Sequence, residues 1–214
     1  RDYKKLKLIF DQLPETSSRI EYILELKAFY YFHMGNYPKA KIALETAFRL
    51  DRKNPLWLVK LARLYDEETL PRYKEYYWKA YRVYIMHQAP FMASRVLVEF
   101  ADRLGKNNDN DEIKAVVTKL DKMEKLAPEA LDFMARWHHS LDKKSKKALE
   151  LIDRAIKMQP ENPQYRYNYA RMLINNDLEK SKKELQKILE DFTDHPVNKK
   201  TRKLLEKVIY LQKK

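Results

Sequence analysis

The stretch that decides the fold is residues 21–55, EYILELKAFYYFHMGNYPKAKIALETAFRLDRKNP. Two runs in it, 21–34 and 38–50, carry apolar residues at helical spacing, and a Gly-Asn pair at 35–36 separates them. The stretch closes with a polar turn and Pro55. Because proline is tolerated in the first turn of a helix and stops the helix before it, the pattern predicts a helical hairpin followed by the start of a third helix.

The proline recurs along the chain. Prolines stand at positions 55, 90, 128, 163 and 196, separated by 35, 38, 35 and 33 residues. A period of this length is typical of repeat proteins in which each unit is a pair of helices that cannot bury its apolar face alone. The spacing of apolar residues predicts helices over 3–13, 21–34, 38–50, 55–68, 72–87, 90–104, 110–126, 129–141, 144–158, 163–175, 178–192 and 197–211.

Composition supports an all-helical chain and argues against several enzyme classes. The 214 residues include only two glycines and no cysteine. Glycine-rich phosphate loops and nucleophile elbows are therefore excluded, as are thiolate metal sites and cysteine nucleophiles. The five histidines form no metal-binding motif, and no catalytic triad is recognisable. We therefore expect no enzyme activity, no metal and no cofactor.

The repeat itself is similar to a known family. Residues 21–55 resemble a tetratricopeptide repeat (TPR) through Ala28, Tyr31, the turn Gly35-Asn36-Tyr37, Ala40, Leu44 and Ala47, which occupy that family's small and apolar positions. Residues 129–196 resemble it through fewer positions: Ala148, Ala155, Pro160 and Ala170. Residues 55–127 depart further, since Pro71 stands at a turn and 106–111 form a longer one.

The resemblance implies a right-handed α-solenoid, all-α, of about five helical hairpins with a C-terminal capping helix. It would form one domain over 1–214, with repeats at about 21–54, 55–89, 90–127, 128–162 and 163–195. Residues 1–20 would end a preceding repeat, and 196–214 would form the cap.

The resemblance also implies a binding groove lined by the first helix of each hairpin. The groove positions fall on Tyr22, Glu25, Phe29, Phe32 and His33 in the first repeat, on Leu56, Val59, Arg63, Asp66 and Glu67 in the second, and on Gln164, Tyr167, Arg171, Ile174 and Asn175 in the fifth. Asn168 would hold a peptide backbone through its amide. Some TPR proteins bind acidic tails through a lysine–asparagine–arginine clamp, but Glu25 and Phe29 stand where its first lysine and asparagine would be, so this ligand is not expected.

These features predict a non-catalytic protein-interaction scaffold that holds a peptide or a partner helix in its groove. The alternative is a surface for single-stranded nucleic acid or another polyanion, favoured by the net charge of +13. Its contacts would be Lys199, Lys200, Arg202 and Lys203, with the aromatic segment 73–84 either stacking on bases or packed in the core.

The place of the chain in a cell is left open by the sequence. It begins with arginine instead of methionine, so we expect a processed piece or the accessory region of a larger machine. No apolar run approaches the ~20 residues that a membrane span needs. A cytoplasmic location is favoured, and a periplasmic or cell-envelope location is the alternative.

Overall fold

The structure, a computed structural model, describes residues 3–14, 20–67 and 71–213, and within these ranges all regular structure is helical. The helices are α1 (Tyr3–Gln12), α2 (Glu21–His33), α3 (Tyr37–Leu50), α4 (Leu56–Glu67), α5 (Tyr73–Met86), α6 (Pro90–Lys106), α7 (Asn110–Asp121), α8 (Pro128–Leu141), α9 (Lys146–Met158), α10 (Pro163–Leu173), α11 (Leu178–Asp191) and α12 (Val197–Gln212).

Each helix lies where the apolar spacing predicts it, with one clear difference in length. Helix α7 was expected to continue to residue 126 but ends at Asp121. The N–H groups of Lys122 and Met123 bond to carbonyls three residues back, at 3.2 and 3.0 Å. Such a tight last turn ends an α-helix. The extra residues instead form the connection to Pro128.

The chain divides into two compact units, residues 1–113 and 114–214. Unit 1 holds α1 to α6 and the start of α7, and unit 2 holds the end of α7 and α8 to α12. The single domain over 1–214 stays a prediction.

Prolines mark the first helix of the hairpins that begin with α4, α6, α8 and α10, as the sequence pattern predicts. Helices α6, α8 and α10 begin with Pro90, Pro128 and Pro163. Pro55 lies just before α4, and its carbonyl accepts the Val59 N–H at 3.2 Å. The missing N–H of proline costs nothing there, because the first N–H groups of a helix have no partner within it.

Polar side chains cap the N-terminal ends of helices, and a glycine follows the end of α2. Asn36 caps α3 by accepting the Lys39 N–H at 3.2 Å, and Ser145 caps α9 by accepting the Ala148 N–H at 3.2 Å. Gly35 has a φ of 71° in the turn between α2 and α3. Glycine adopts this left-handed conformation without the steric cost that a Cβ imposes.

Small residues let neighbouring helices approach closely in both units. In unit 1, Ala28 on α2 lies opposite a run of buried alanines on α3 that includes Ala40 and Ala47. In unit 2, Ala148, Ala155 and Ala170 are buried on α9 and α10. These are the positions on which the resemblance to the TPR family depends.

Large side chains fill the space between neighbouring hairpins. In unit 1, the rings of Tyr77 on α5 and Phe100 on α6 are fully buried and stack with centroids 5.0 Å apart. Such a pair contributes roughly 0.5–1.5 kcal/mol beyond its burial. In unit 2, Ala170, Leu185 and Val208 bring α10, α11 and α12 together in one buried cluster.

Polar contacts repeat with the period of the fold. Side chains 33 to 37 residues apart in sequence bond to each other: Glu25 with Lys60, Asp66 with Arg103, Arg63 with Glu99, Lys74 with Asp109, Trp78 with Glu112, Asp132 with Asn168, Gln164 with Lys200 and Glu179 with Gln212. Most of these contacts join corresponding helices of successive hairpins, as stacking of like units requires, whereas Glu179 and Gln212 join the second helix α11 to α12.

Candidate functional site

A cavity of about 310 Å³ opens between the first helices α2 and α4 of unit 1. Helix α3 forms its floor through Ala40 and Leu44. The residues that line it are Glu25, Ala28, Phe29, Phe32, His33, Ala40, Leu44, Lys60, Arg63 and Leu64. The floor is apolar, and the charged residues come from the walls on α2 and α4.

Four of the five groove residues predicted on α2 line this cavity: Glu25, Phe29, Phe32 and His33. The fifth, Tyr22, is 65% exposed and does not line it. The helical spacing places these four side chains on one face of α2, and the cavity is the space in front of that face.

Of the positions predicted on α4, Arg63 lines the cavity and Val59 does not. Val59 was expected in the groove but is only 3% exposed, because it faces the core. Lys60 and Leu64 line the cavity instead. They follow Glu25 and Phe29 by 35 residues, whereas the predicted positions assume a spacing of 34. A one-residue step turns a side chain by about 100° around a helix axis, which separates core from groove.

An aromatic cluster forms the α2 wall of the cavity. The rings of Phe29 and His33 meet edge to face with centroids 4.3 Å apart, and those of Phe32 and His33 lie 5.4 Å apart. Phe32 also lies 5.7 Å from Tyr37 on α3. Phe29 remains 40% exposed at the edge of the cavity. The cluster is held in place by its own contacts while one ring stays accessible.

The charged groups at the cavity are paired within unit 1. Glu25 forms an ion pair with Lys60. Arg63 donates two hydrogen bonds to the carboxylate of Glu99, at 2.6 and 2.7 Å, and Tyr77 donates a third at 2.8 Å. Arg63, which was predicted to line the groove, therefore already has its guanidinium paired with a carboxylate of the protein.

Titration of Glu99 follows from these contacts. Burial by itself would raise the pKa of the Glu99 carboxyl, but the hydrogen bonds from Arg63 and Tyr77 outweigh burial and lower it below its ordinary value. Burial, together with the Glu99 charge, raises the pKa of the Tyr77 hydroxyl. The Asp66 carboxylate, also predicted in the groove, pairs with Arg103 at 3.0 Å.

The fifth repeat presents fewer groove side chains than predicted. Tyr167 and Arg171 are half-buried on α10, and Asn175 is exposed just beyond its end. Asn168 is only 3% exposed. Its amide donates to an Asp132 oxygen at 2.6 Å and accepts from Gln164 at 3.0 Å. Because both ends of this amide are used inside unit 2, we do not include Asn168 among ligand contacts.

A second pocket, of about 390 Å³, lies in unit 2 where α12 begins. Its lining includes three of the four predicted polyanion contacts, Lys199, Lys200 and Lys203. The fourth, Arg202, is exposed on α12 outside the pocket. The polar groups of Gln164 and His195 also line the pocket, and their position beside these lysines was not predicted from the sequence. The signal for Gln164 is again the period, because it precedes Lys200 by 36 residues.

The remaining sequence candidates do not form a further site. The stripe Tyr73, Tyr77 and Tyr84 on α5 is buried, so these rings present no face on which bases could stack. Within the described ranges, no group of His, Asp and Glu side chains is arranged to hold a metal ion. In the same part of the chain, no helix combines the length and apolar character that crossing a bilayer requires.

Comparison with known proteins bears on the fold. No family model and no curated protein sequence matches the chain. Among solved structures, yeast Tom70 is similar at a TM-score of 0.68 and 18% identity, over 99% of this chain and 47% of that one. The assembly chaperone of RpL4, Acl4, is similar at 0.60 and 14%, over 98% and 89%. A TPR protein of Thermus thermophilus, TTC0263, is similar at 0.53 and 16%, over 89% and 99%.

These likenesses establish the fold class. The chain has a TPR-like fold, an all-α solenoid of helical hairpins. It spans about half the length of the Tom70 structure that it matches.

Proposed function

We propose that this chain is a non-catalytic scaffold for protein–protein interaction, and that the cavity of unit 1 receives an apolar side chain from a peptide or a partner helix. The observation that carries the proposal is the cavity itself, with its apolar floor and the partly exposed ring of Phe29 at its edge. Solenoids of this type generally serve as scaffolds for other proteins. Acl4, one of the similar structures, is described as an assembly chaperone of another protein.

The size and chemistry of the cavity favour a protein anchor over a free small molecule. A volume of about 310 Å³ is at the lower end of the range for ligand pockets, which is roughly 300–1,000 Å³. Leu44 and Leu64 are buried at its base, and aromatic rings form one wall. Interface hot spots commonly consist of such an anchor in an apolar pocket, and burying one large apolar side chain stabilises a complex by about 1.5–3 kcal/mol.

The charges around the cavity would contribute little to affinity. Glu25 and Lys60 already pair, as do Arg63 and Glu99, so a ligand charge would have to compete with an existing partner. We therefore expect binding at this cavity to depend weakly on salt. A partner that bound mainly through charge would lose affinity steeply as salt is added.

The acid–base groups of the lining are already engaged within the protein. The described residues around the cavity include no hydroxyl nucleophile, and the single histidine, His33, is packed among Tyr3, Phe29 and Phe32. A general base needs a positioned proton donor or nucleophile within hydrogen-bond reach. A binding role needs none of these groups.

The test is a comparison of two phenylalanine truncations on unit 1. Phe29→Ala removes the accessible ring of the cavity, and Phe91→Ala removes a ring on α6 that is 43% exposed and does not line it. Quantitative pull-down with the wild-type chain identifies the partner, and calorimetry then gives its affinity for each variant. We expect Phe29→Ala to weaken binding by about tenfold or more, and Phe91→Ala by about twofold at most, since aromatic anchors dominate interface energy.

Circular dichroism of each variant checks that the helical content is unchanged. If the partner binds the Phe29→Ala variant as tightly as the wild type, the cavity is not the binding site. If the affinity of the wild type falls steeply with salt, the apolar anchor is not the main source of binding, and the polyanion alternative replaces it.

A further inference from the structure

The pocket at the start of α12 gathers positive charge without an acid among its lining residues. Lys199, Lys200 and Lys203 form one wall, and Gln164 and His195 contribute polar groups beside them. None of the three lysines forms an ion pair within the described part of unit 2. Most of the other basic clusters in this chain alternate with acids, so this concentration is unusual for its surface.

Lys200 is the centre of this arrangement. Its ammonium group bonds to the amide oxygen of Gln164 and lies 4.6 Å from the centre of the Tyr167 ring. Burial lowers the pKa of Lys200, and the charge of Arg171 lowers it further, while Asp132 opposes both effects. The Asp132 carboxylate is engaged by Asn168 and Arg136, at 2.6 and 3.0 Å. The pocket therefore holds a partly desolvated positive charge that an anion would stabilise.

Arg171, which acts on the Lys200 charge from outside the pocket lining, and the N-terminus of α12 add to the positive field there. The Nε of Arg171 is buried and has no hydrogen-bond partner within the described part of the chain. Helix α12 begins at Val197, whose N–H donates to Nδ1 of His195 at 3.1 Å. Since Nδ1 accepts, the proton of the neutral imidazole lies on Nε2. The positive end of the helix dipole adds to the field of the lysines there.

The number and type of cations indicate a phosphate group. Lysine ammoniums bind phosphate as point charges, and a phosphoryl group with three oxygens and a charge of about −1.5 to −2 can engage several of them at once, whereas a carboxylate carries a single charge. The cations converge on a single pocket of about 390 Å³. A nucleic-acid strand would need a longer basic groove with exposed aromatic rings for its bases, and the lining contains none besides His195.

We propose that this pocket binds the phosphate group of a phosphorylated serine or threonine on a partner protein. Lys199 and Lys203 would contact the phosphate oxygens from the open side, and Lys200 from the buried side. The site goes beyond the proposed function, since it lies in unit 2 and does not depend on the cavity of unit 1.

The experiment compares two charge reversals on α12. The variant Lys199→Glu/Lys203→Glu reverses two lysines of the pocket, and the variant Arg202→Glu/Lys207→Glu reverses two exposed cations on the same helix that do not line it. Both variants change the net charge by the same amount. The probes are inorganic phosphate, a short peptide with one phosphoserine, the same peptide with serine or glutamate, and single-stranded oligothymidine. Nitrogen-15 chemical shifts of residues 195–203 report binding.

We expect inorganic phosphate and the phosphoserine peptide to shift these amides, and the serine peptide to leave them unchanged. The variant Lys199→Glu/Lys203→Glu should lower the affinity for the phosphoserine peptide by about tenfold or more. The control variant should lower it by about twofold at most, because exposed charges outside a site contribute little. If both variants lose the same affinity, binding depends on the net charge of the chain and not on this pocket.

Other outcomes would also overturn the proposal. Tighter binding of the oligothymidine than of the phosphopeptide would make the pocket part of a nucleic-acid surface. Equal affinity for the glutamate and phosphoserine peptides would make it a general anion site. If neither phosphate nor the phosphopeptide shifts these amides at millimolar concentration, the pocket does not bind phosphate. Because Phe29 is unchanged in these variants, none of these results bears on the cavity of unit 1.

Discussion

Replacement of Asn168 by alanine tests whether this amide is part of the structure or part of a ligand site. Its donor bond to the buried carboxylate of Asp132 measures 2.6 Å, and its oxygen accepts from Gln164 at 3.0 Å. A hydrogen bond to a charged group contributes about 1.5–3 kcal/mol, and one between neutral groups about 0.5–1.5 kcal/mol. Asn168→Ala should therefore lower the free energy of unfolding of unit 2 by about 2–4 kcal/mol.

The assay is urea unfolding followed by circular dichroism, with Asn175→Ala as the matched control. Asn175 is the same residue type in an exposed position just beyond α10, so its loss should cost about 0.5 kcal/mol at most. A double-mutant cycle with Asp132→Ala should give a coupling energy of about 1 kcal/mol or more, as residues in direct contact do. If Asn168→Ala leaves the stability unchanged and abolishes partner binding, the structural role is refuted and Asn168 is a ligand contact, as the sequence predicted.

Two further predictions concern the groups at the first helices. The pKa of Glu99 is lowered in the folded chain, so its contribution to stability is present above the pKa of about 4.3 that glutamate has in an unfolded chain, and is lost as the pH falls through the folded value. Urea unfolding of wild type and Glu99→Gln should thus differ most near pH 7 and converge in acid, and a difference that is constant with pH would contradict the assignment of the pKa to Glu99. Arg171→Glu combined with Tyr167→Ala alters the half-buried groove side chains of α10; if the groove of unit 2 takes part in partner binding, this double variant should abolish the pull-down while the helical signal survives, and an unchanged pull-down would confine binding to unit 1.

The pattern of helices could be predicted because its causes are local. The prolines before or at the start of α4, α6, α8, α10 and α12 act on the adjacent turn alone, and Gly35 does the same at the end of α2. The apolar stripes extend over a few turns of one helix. The end of α7 was missed because the apolar residue Leu126 continues the stripe beyond the turn at Asp121, where the backbone leaves the helix.

The candidate site could be predicted in part. Glu25, Phe29 and Phe32 line one cavity together, because their spacing places them on one face of α2. On α4 the prediction was wrong at Val59, because the rotation of α4 relative to α2 depends on packing between hairpins. Only the structure shows that Lys60 takes the place expected for Val59.

The class of fold and the order of the helices could be read from the amino-acid sequence. These features follow from turn residues, small residues and apolar spacing, all of which act between near neighbours in the chain. Which polar groups are already paired depends instead on how the hairpins pack. Arg63 and Asn168 are typical of ligand contacts as sequence positions, yet Glu99 and Asp132 occupy them, because bonds between successive hairpins form only after helices 36 residues apart have been brought side by side.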